Sequence, residues 1–405
     1  MRPKYSIILP TLNGARTLSL TLPAMLRIQR DDVEWVVSEN HSDDDTWPML
    51  QEIAADDERV KLIQPAERLP LGKHLEFAYR HATGKWLSHL GDDDHLLPWR
   101  FDLLDQVLDQ AGEKCGLVRG EYVRYSWPNF PEASVANSVD PAAFASRCEL
   151  VSGTKFAAEL LNRVHIHGGG SWVVRNDIAS GVRKQCGWFA SPQHVEFFAM
   201  RAAACLSDEV ALLHLPLFVL GRHGKSSGSQ YFLPRESNQE KTWDWSFEDP
   251  EQYGHAPFNW KSYSTLSLDG ALAVQRAFAA ELGGVRIDWK TWLKAIHSEM
   301  MRLIAYRQLP IAARNDFLRA VALLPSRGVW YWRWRTWRLQ WQQWWQRPML
   351  EDAEPTTMPE HELAWAQRIH GDQAGFDSIV SLTDWLSHSQ PALLLGPTIE
   401  KARLR

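Results

Sequence analysis

The first hundred residues alternate short apolar runs with amphipathic segments, and this alternation restricts the fold more than any other feature of the chain. The predicted strands span 5–9, 33–37, 60–63 and 86–90, and the predicted helices span 17–30, 43–53 and 75–81. Each strand starts about 25 to 30 residues after the previous one. One strand and one helix in each unit predict an α/β fold with a doubly wound, mainly parallel sheet flanked by helices.

Polar clusters follow three of the predicted strands. They are Thr11–Asn13, Glu39–Asp43 and Asp92–Asp94. In sheets of this type, ligands bind beyond the carboxyl ends of the strands. Because the three clusters all lie at such ends, the sequence predicts one site large enough for a nucleotide.

The cluster Asp92–Asp94 follows the apolar run that begins at Trp86. Adjacent carboxylates repel one another, and a cation or water that neutralises them makes such a cluster tolerable. Hard oxygen ligands suit Mg²⁺ or Mn²⁺, and these ions in turn hold phosphate oxygens. A solvated acidic turn, in which one Asp caps a helix, is the alternative that the cluster alone leaves open.

Composition excludes several other classes of protein. The 405 residues carry a net charge of -5, so no overall basic field predicts a nucleic-acid partner. The four cysteines have no CxxC spacing and are expected to be reduced, as in a cytosolic protein. The apolar run before Pro10 is too short for a signal peptide. The sequence contains no uninterrupted run of about 18 apolar residues, so we expect no membrane-spanning helix.

Three blocks of sequence, taken in order, resemble the family 2 glycosyltransferases. These blocks are Ser6–Asn13, Val36–Thr46 and Ala82–Asp94, and a fourth, Leu215–Ser226, resembles a segment of bacterial members. The resemblance implies a GT-A type fold. It also implies inverting, metal-dependent transfer of a sugar from a UDP- or dTDP-sugar to a cell-surface polysaccharide or a lipid-linked acceptor.

The resemblance also assigns binding residues. It implies that the nucleotide-sugar is bound by Pro10, Thr11, Asn13, Glu39, Ser42, Lys73, Asp92 and Lys225. Glu39 would accept a hydrogen bond from a pyrimidine imide N–H. Gly91 stands where the family often has its first metal-binding Asp, which leaves Mn²⁺ or Mg²⁺ to Asp93, Asp94 and His223.

The residue that deprotonates the acceptor is harder to assign, because the Glu–Asp pair of the family is missing. Glu196 is our first choice, since burial among neighbouring phenylalanines would raise the pKa of its carboxyl toward neutrality. His194 is the second choice. The alternative for Glu196 is an exposed acid at the start of a helix, where the helix dipole favours it.

A segment rich in Trp and Arg occupies residues 326–347. In a helix over 330–345, six tryptophans share one face and the arginines lie on the other; the six are Trp330, Trp334, Trp337, Trp341, Trp344 and Trp345. Such a helix is suited to the surface of a membrane, which predicts peripheral contact with the inner face of the cytoplasmic membrane. Packing of the Trp face on the catalytic domain or on a second subunit is the alternative.

The sequence predicts three regions. Residues 1–235 form the GT-A nucleotide-sugar-binding and acceptor domain, 236–325 a helical extension, and 326–405 the Trp/Arg helix, an acidic linker over 351–360 and a last helix over 362–370. Two other functions stay open. One is a catalytically inactive sugar-nucleotide fold that acts as a membrane-associated interaction module, and the other is a sugar nucleotidyltransferase.

Overall fold

The four apolar runs near the amino terminus become neighbouring strands of one mixed sheet in the computed structural model. The structure describes residues 2–166, 169–192, 194–224, 255–258, 260, 262–305, 313–323, 332, 363–365, 367–390 and 397–401. The first strands are β1 (Tyr5–Thr11), β2 (Val33–Glu39), β3 (Val60–Ile63) and β4 (Trp86–His89). They pair in parallel in the order β4-β1-β2-β3, as the alternating pattern predicts.

Three helices connect these strands and cover the sheet. They are α1 (Ala15–Leu26), α2 (Thr46–Asp56) and α3 (Leu71–His81). Helix α1 buries Leu18, Leu22 and Met25, which recur at helical spacing on one face. The predicted helices are therefore confirmed, with ends that differ by a few residues.

The sheet continues through a second group of strands. These strands are β5 (His95–Leu96), β6 (Cys115–Ser126), β7 (Ser138–Val139), β8 (Ala142–Phe144), β9 (Arg147–Ser152), β10 (Trp172–Arg175) and β11 (Glu209–Arg222). The accompanying helices are α4 (Arg100–Ala111), α5 (Gly153–Leu160), α6 (Asn176–Cys186) and α7 (Glu196–Leu206). Strand β10 joins the two halves, since it is antiparallel to both β4 and β6, whereas β6 and β11 are parallel.

Helices occupy most of residues 262–305 and 313–323, as the periodicity predicts. They are α8 (Tyr263–Ala277), α9 (Trp289–Ala305) and α10 (Ala313–Leu323), and α8 shares a hydrophobic core with α7. Trp332 is buried and its ring contacts His297 and Phe317. The rest of the predicted Trp/Arg helix, including its six-tryptophan face, lies outside the described residues. Within the described parts of the chain, no helix is both long and apolar enough to cross a membrane.

The helix predicted over 362–370 is wrong. Residues 363–365 and 369–370 form strands β12 and β13, which pair antiparallel with β8 and β7. Two helices follow, α11 (Gly371–Ala374) and α12 (Ile379–Ser389), and then β14 (Thr398–Lys401) extends the sheet parallel to β9. Pairing with distant strand edges satisfies the backbone here, and this tertiary interaction overrides local helix propensity.

One buried carboxylate on α3 fixes the segment that leads to α7. Glu76 accepts hydrogen bonds from the backbone N–H groups of Phe189 and Ala190, each at 2.9 Å. It also pairs with the guanidinium of Arg183 at 2.9 Å. Since the Glu76 side chain is only 9% exposed, water cannot replace these bonds if the carboxylate is removed.

We expect Glu76→Ala to lower the free energy of unfolding by about 3 kcal/mol. The change removes the acceptor of the buried N–H groups of Phe189 and Ala190 and of the Arg183 guanidinium. Urea denaturation measures this change. The matched control is Glu52→Ala on the exposed side of α2, where we expect a change within about 0.5 kcal/mol. Equal losses in the two variants would contradict the anchoring role of Glu76.

Candidate active site

The loops that follow β1, β2 and β4 meet through direct hydrogen bonds at the carboxyl edge of the sheet. Thr11 Oγ1 donates to Asp92 Oδ2 at 2.9 Å. The backbone N–H of Asn13 donates to Ser42 Oγ at 2.8 Å, and Asn13 Oδ1 accepts from the N–H of Asp43 at 2.8 Å. Asn13 adopts a positive φ of 57°, which an asparagine tolerates better than most residues. Four of the predicted donor-binding residues are thus brought together.

The other predicted donor-binding residues are less closely grouped. Pro10 is half-buried near the end of β1, in register with Ser38 of β2. Lys73 is exposed in the first turn of α3. Lys225 lies outside the described residues.

Glu39 is fully buried and its oxygens already accept several hydrogen bonds. They come from the N–H of Ser42 at 2.5 Å, the N–H of His41 at 3.0 Å and Gln64 Nε2 at 2.6 Å. Burial raises the pKa of the Glu39 carboxyl, but the bonds from Ser42, Gln64 and His41 outweigh it and the pKa is lowered. Glu39 therefore holds the turn at 40–43. Its hydrogen bond with a pyrimidine base stays a prediction, since a carboxylate that accepts three bonds keeps a further acceptor site.

Asp94 has a similar internal role. Its Oδ2 accepts from the N–H of Gly91 at 2.9 Å and its Oδ1 accepts from the N–H of Gly221 at 2.9 Å. The residue is only 5% exposed. The carboxylate thus joins the loop after β4 to β11. The role of Asp94 as a metal ligand stays a prediction, since a ligating carboxylate can also accept hydrogen bonds.

Asp93 differs from both of these carboxylates. Its Oδ2 atom is buried and accepts no hydrogen bond within the described residues, and it lies 3.8 Å from Nε2 of His223. Trp127 holds the peptide, since its Nε1 donates to the carbonyl oxygen of Asp93 at 3.1 Å. A buried acceptor without a partner is unfavourable unless a cation or donor reaches it. Among the residues that the structure describes, no three His, Cys, Asp or Glu side chains form a complete metal site.

Two glycines permit this close arrangement. A Cβ atom on Gly221 would lie 1.8 Å from the carbonyl oxygen of Asp93, and one on Gly91 would lie 2.8 Å from Asp93 Oδ1. Any larger residue at 221 would separate β11 from the acidic loop. Gly91 and residues 220–223 lie in the sequence blocks that resemble the glycosyltransferases. Nothing in the sequence indicates the hydrogen bond between Trp127 and Asp93.

The acidic loop has unusual electrostatics. Burial raises the pKa of Asp92 to about 6 and that of Asp94 to about 7. Burial, together with the charges of Asp94 and Asp92, raises the pKa of Asp93 well above its usual range. A divalent cation would lower all three pKa values, because it favours the ionised carboxylates.

The two candidate bases have different surroundings. Glu196 is the first residue of α7, and burial raises the pKa of its carboxyl. His194 is only 3% exposed, with Nε2 at 2.5 Å from Asp269 Oδ2 and Nδ1 at 3.0 Å from Ser191 Oγ. These contacts tie the segment before α7 to α8. His194 therefore connects buried parts of the fold, and its role as the second candidate base stays a prediction.

Val195, between these two residues, is strained. Its φ of 45° is rare for a β-branched side chain, and its N–H donates to the carbonyl of Ser191 at 2.9 Å. This short loop sets the direction in which Glu196 begins α7. The strain at Val195 could not be predicted from the sequence, because valine is not a residue that favours positive φ.

The raised pKa values of the acidic loop predict that, in the absence of metal, the protein becomes less stable as pH rises. Between about pH 4 and pH 7, the folded chain binds more protons at the acidic loop than the unfolded chain, so the free energy of unfolding decreases as pH rises. We expect Asp93→Asn to stabilise the metal-free protein at pH 8 by about 2 kcal/mol and to flatten this decline. Urea denaturation in EDTA at pH 5 and pH 8 measures it. The control is Asp109→Asn, at an exposed position of α4; slopes equal to that of the wild type in both variants would exclude Asp93 from the coupled cluster.

Comparison with known proteins gives relatives that each match about a quarter of the chain. A GalNAc(5)-diNAcBac-PP-undecaprenol beta-1,3-glucosyltransferase of Campylobacter jejuni is 33% identical over 111 residues, which cover 27% of this chain and 36% of that protein. A putative glycosyltransferase, EpsE of Bacillus subtilis, is 30% identical over 101 residues, which cover 25% of this chain and 36% of that protein. The matched part thus spans about a third of each relative.

Among solved structures, S. aureus TarS 1-349 in complex with UDP-GlcNAc is 14% identical, with a TM-score of 0.46 over 84% of this chain and 92% of that one. The family model described as "Glycosyl transferase family 2" matches residues 6–179, from β1 into α6. The predicted GT-A type fold is confirmed by this match together with the sheet order. Over residues 6–179, the chain is thus similar to glycosyl transferase family 2.

Proposed function

We propose that this chain is a metal-dependent, inverting glycosyltransferase that moves a sugar from a UDP- or dTDP-sugar to a polysaccharide or lipid-linked acceptor. The observation that supports it best is the unpartnered Oδ2 of Asp93 beside His223, at the edge where three strand-end loops meet. The relative from C. jejuni is named for a lipid-linked acceptor, which favours an acceptor of that class here.

The residues present fit a divalent cation. Asp93 supplies a buried carboxylate oxygen that accepts no bond from the described residues, and His223 supplies a ring nitrogen 3.8 Å away. Mn²⁺ or Mg²⁺ would be held by these two side chains and would offset the negative charge that develops on the departing nucleoside diphosphate. Asp94 supports this arrangement indirectly, because its two backbone hydrogen bonds fix the peptide of Asp93 against β11.

The nucleoside would lie against the joined loops after β1 and β2. Thr11, Asn13 and Ser42 present hydroxyl, amide and backbone groups there, and Asp92 lies within hydrogen-bond distance of Thr11. We assign Asp92 to the ribose, since hydroxyl groups are donors that a carboxylate accepts well. Glu39 contributes by keeping the turn at 40–43 in place.

Glu196 is our proposed general base. Its carboxylate would accept the proton of the acceptor hydroxyl while the acceptor oxygen attacks the anomeric carbon and the nucleotide leaves from the opposite side. The raised pKa of Glu196 makes it a stronger base at neutral pH than an exposed glutamate. Tyr79 and Phe189, whose rings pack edge to face at 5.0 Å, belong to the buried wall behind α7.

Nucleotide binding tests the donor site. We expect UDP or dTDP with Mn²⁺ to stabilise the protein by about 3 kcal/mol at a concentration one hundred times the Kd, and GDP to have a smaller effect. In Asp93→Asn the shift should lose its dependence on metal. Differential scanning calorimetry with each nucleotide, with and without Mn²⁺, measures this, and no shift with any nucleotide would overturn the proposal.

Activity tests the base. We expect Glu196→Gln to lower kcat about 10²- to 10⁴-fold while the UDP-induced stabilisation stays unchanged, because the amide cannot accept the proton. In the wild type, kcat should fall as pH decreases through the raised pKa of Glu196. The control Glu113→Gln changes an exposed carboxylate outside the site and should leave kcat unchanged. Full activity in Glu196→Gln would assign the base elsewhere.

The same assays separate the other functions. An inactive interaction module would bind nucleotide without consuming the UDP-sugar, and a nucleotidyltransferase would release pyrophosphate from a nucleoside triphosphate. Peripheral membrane contact through 330–345 remains part of the proposal, and co-sedimentation of the full chain with anionic vesicles tests it.

A further inference from the structure

Three arginine side chains contact one carboxylate, that of Asp140, near the carboxyl ends of β6 and β11. Asp140 Oδ2 lies 2.9 Å from Arg222 Nη2 and 3.4 Å from Arg124 Nη1, and Asp140 Oδ1 lies 3.0 Å from Arg368 Nη2. We call Arg124, Arg222 and Arg368 the arginine cluster. None of these three arginines takes part in the proposed reaction.

The cluster is assembled from three distant parts of the chain. Arg124 lies on β6, Arg222 ends β11, and Arg368 lies between β12 and β13. Trp365 fixes the last part, because its Nε1 donates to the carbonyl oxygen of Asp140 at 2.9 Å. Two of the three guanidinium groups are therefore positioned by strands of the sheet, and the third lies close to Trp365, which is bonded to Asp140.

The cluster carries an excess of positive charge. Three guanidinium groups share one carboxylate, so a net charge of two remains among these four side chains. Burial lowers the pKa of Arg222, and the charges of Arg124 and Arg368 lower it further, although Asp140 opposes them. The Nε of Arg222 is buried and donates to no acceptor among the described residues. The arginine side chains are 27% to 40% exposed, so a ligand can reach them from solvent.

The cluster lies on the opposite side of β11 from the acidic loop. Gly221 donates to Asp94, and His223 lies beside Asp93, whereas Arg222 between them contacts Asp140 and Ser126. Neighbouring residues of a strand point to opposite faces of a sheet. A group bound by the cluster is thus separate from a cation held by Asp93.

Aromatic residues lie between the cluster and Gly170. The Arg124 guanidinium lies over the ring of Tyr122 at 5.5 Å, and that ring packs at 5.7 Å from the ring of Phe218. Phe218 in turn lies against Gly170, where an added Cβ would be 2.6 Å from its ring. This packing holds the Tyr122 ring against which the Arg124 guanidinium lies.

We propose that the arginine cluster binds a phosphate group of a substrate of this chain. Planar guanidinium groups with several N–H donors suit phosphate oxygens, and they bind them with paired, charge-assisted hydrogen bonds. Two substrates of the proposed transferase carry phosphate, namely the nucleotide donor and a lipid-diphosphate acceptor. Which of them is bound rests on the proposed function, but binding itself is measurable without turnover.

Calorimetric titration of the full chain with geranyl diphosphate, and separately with UDP and Mn²⁺, tests the inference. We expect Arg124→Gln/Arg368→Gln to weaken the binding of one of these two ligands about 10- to 100-fold, since each lost charge-assisted contact reduces affinity. Arg124→Lys/Arg368→Lys keeps the charge and should lose less. The matched control is Arg319→Gln, an exposed arginine paired with Asp316 on α10, which should bind both ligands as the wild type does.

The two ligands distinguish the source of the phosphate. Loss of geranyl diphosphate binding with UDP binding unchanged assigns the cluster to the acceptor, and the reverse assigns it to the donor. Unchanged affinity for both ligands in the Gln variant, with a native unfolding transition, would overturn the inference and leave the cluster as an internal tie. Phosphate binding by a chain that transfers no sugar would refute the proposed function alone.

Discussion

The two hydrogen bonds that Asp94 accepts from backbone N–H groups are the constraint on which the site depends. They join the loop after β4, at Gly91, to β11, at Gly221. Because the carboxylate of Asp94 is engaged in this way, Asp93 is held against β11 beside His223 with an oxygen that the described part of the chain does not satisfy. The structure stabilises the backbone with one carboxylate and leaves its neighbour available to a ligand.

The same division applies to acidic residues throughout the site. Glu39 and Glu76 point inward and accept backbone N–H groups, so they shape the turn at 40–43 and the segment at 189–190. Glu196 accepts no comparable set of bonds in the described residues, and its pKa is raised by burial. Whether one of these acidic residues is structural or available for function thus depends on whether backbone N–H groups already donate to its carboxylate.

This division explains how far the sequence could be interpreted. Alternating apolar runs predict β1 to β4 and their helices well, because local hydrophobic periodicity decides those elements. The same approach could not separate Asp93 from Asp94, since the bond from Gly221 comes from a residue more than one hundred positions away. It also missed the strands at 363–365 and 369–370, whose partners are equally distant in sequence. Strands of three and two residues, such as these, are too short to show a periodic pattern in the sequence.

The return of residues 363–401 to the sheet bears on how the chain folds during synthesis. The edge of β9 gains its parallel neighbour only when residues 398–401 have been made, long after most of the other strands of the sheet have left the ribosome. Until then the growing protein carries an open strand edge, which is a surface that other chains can pair with. Shortened versions that end before residue 363 would keep that edge exposed permanently, so their solubility reports on the sheet as much as on any membrane contact.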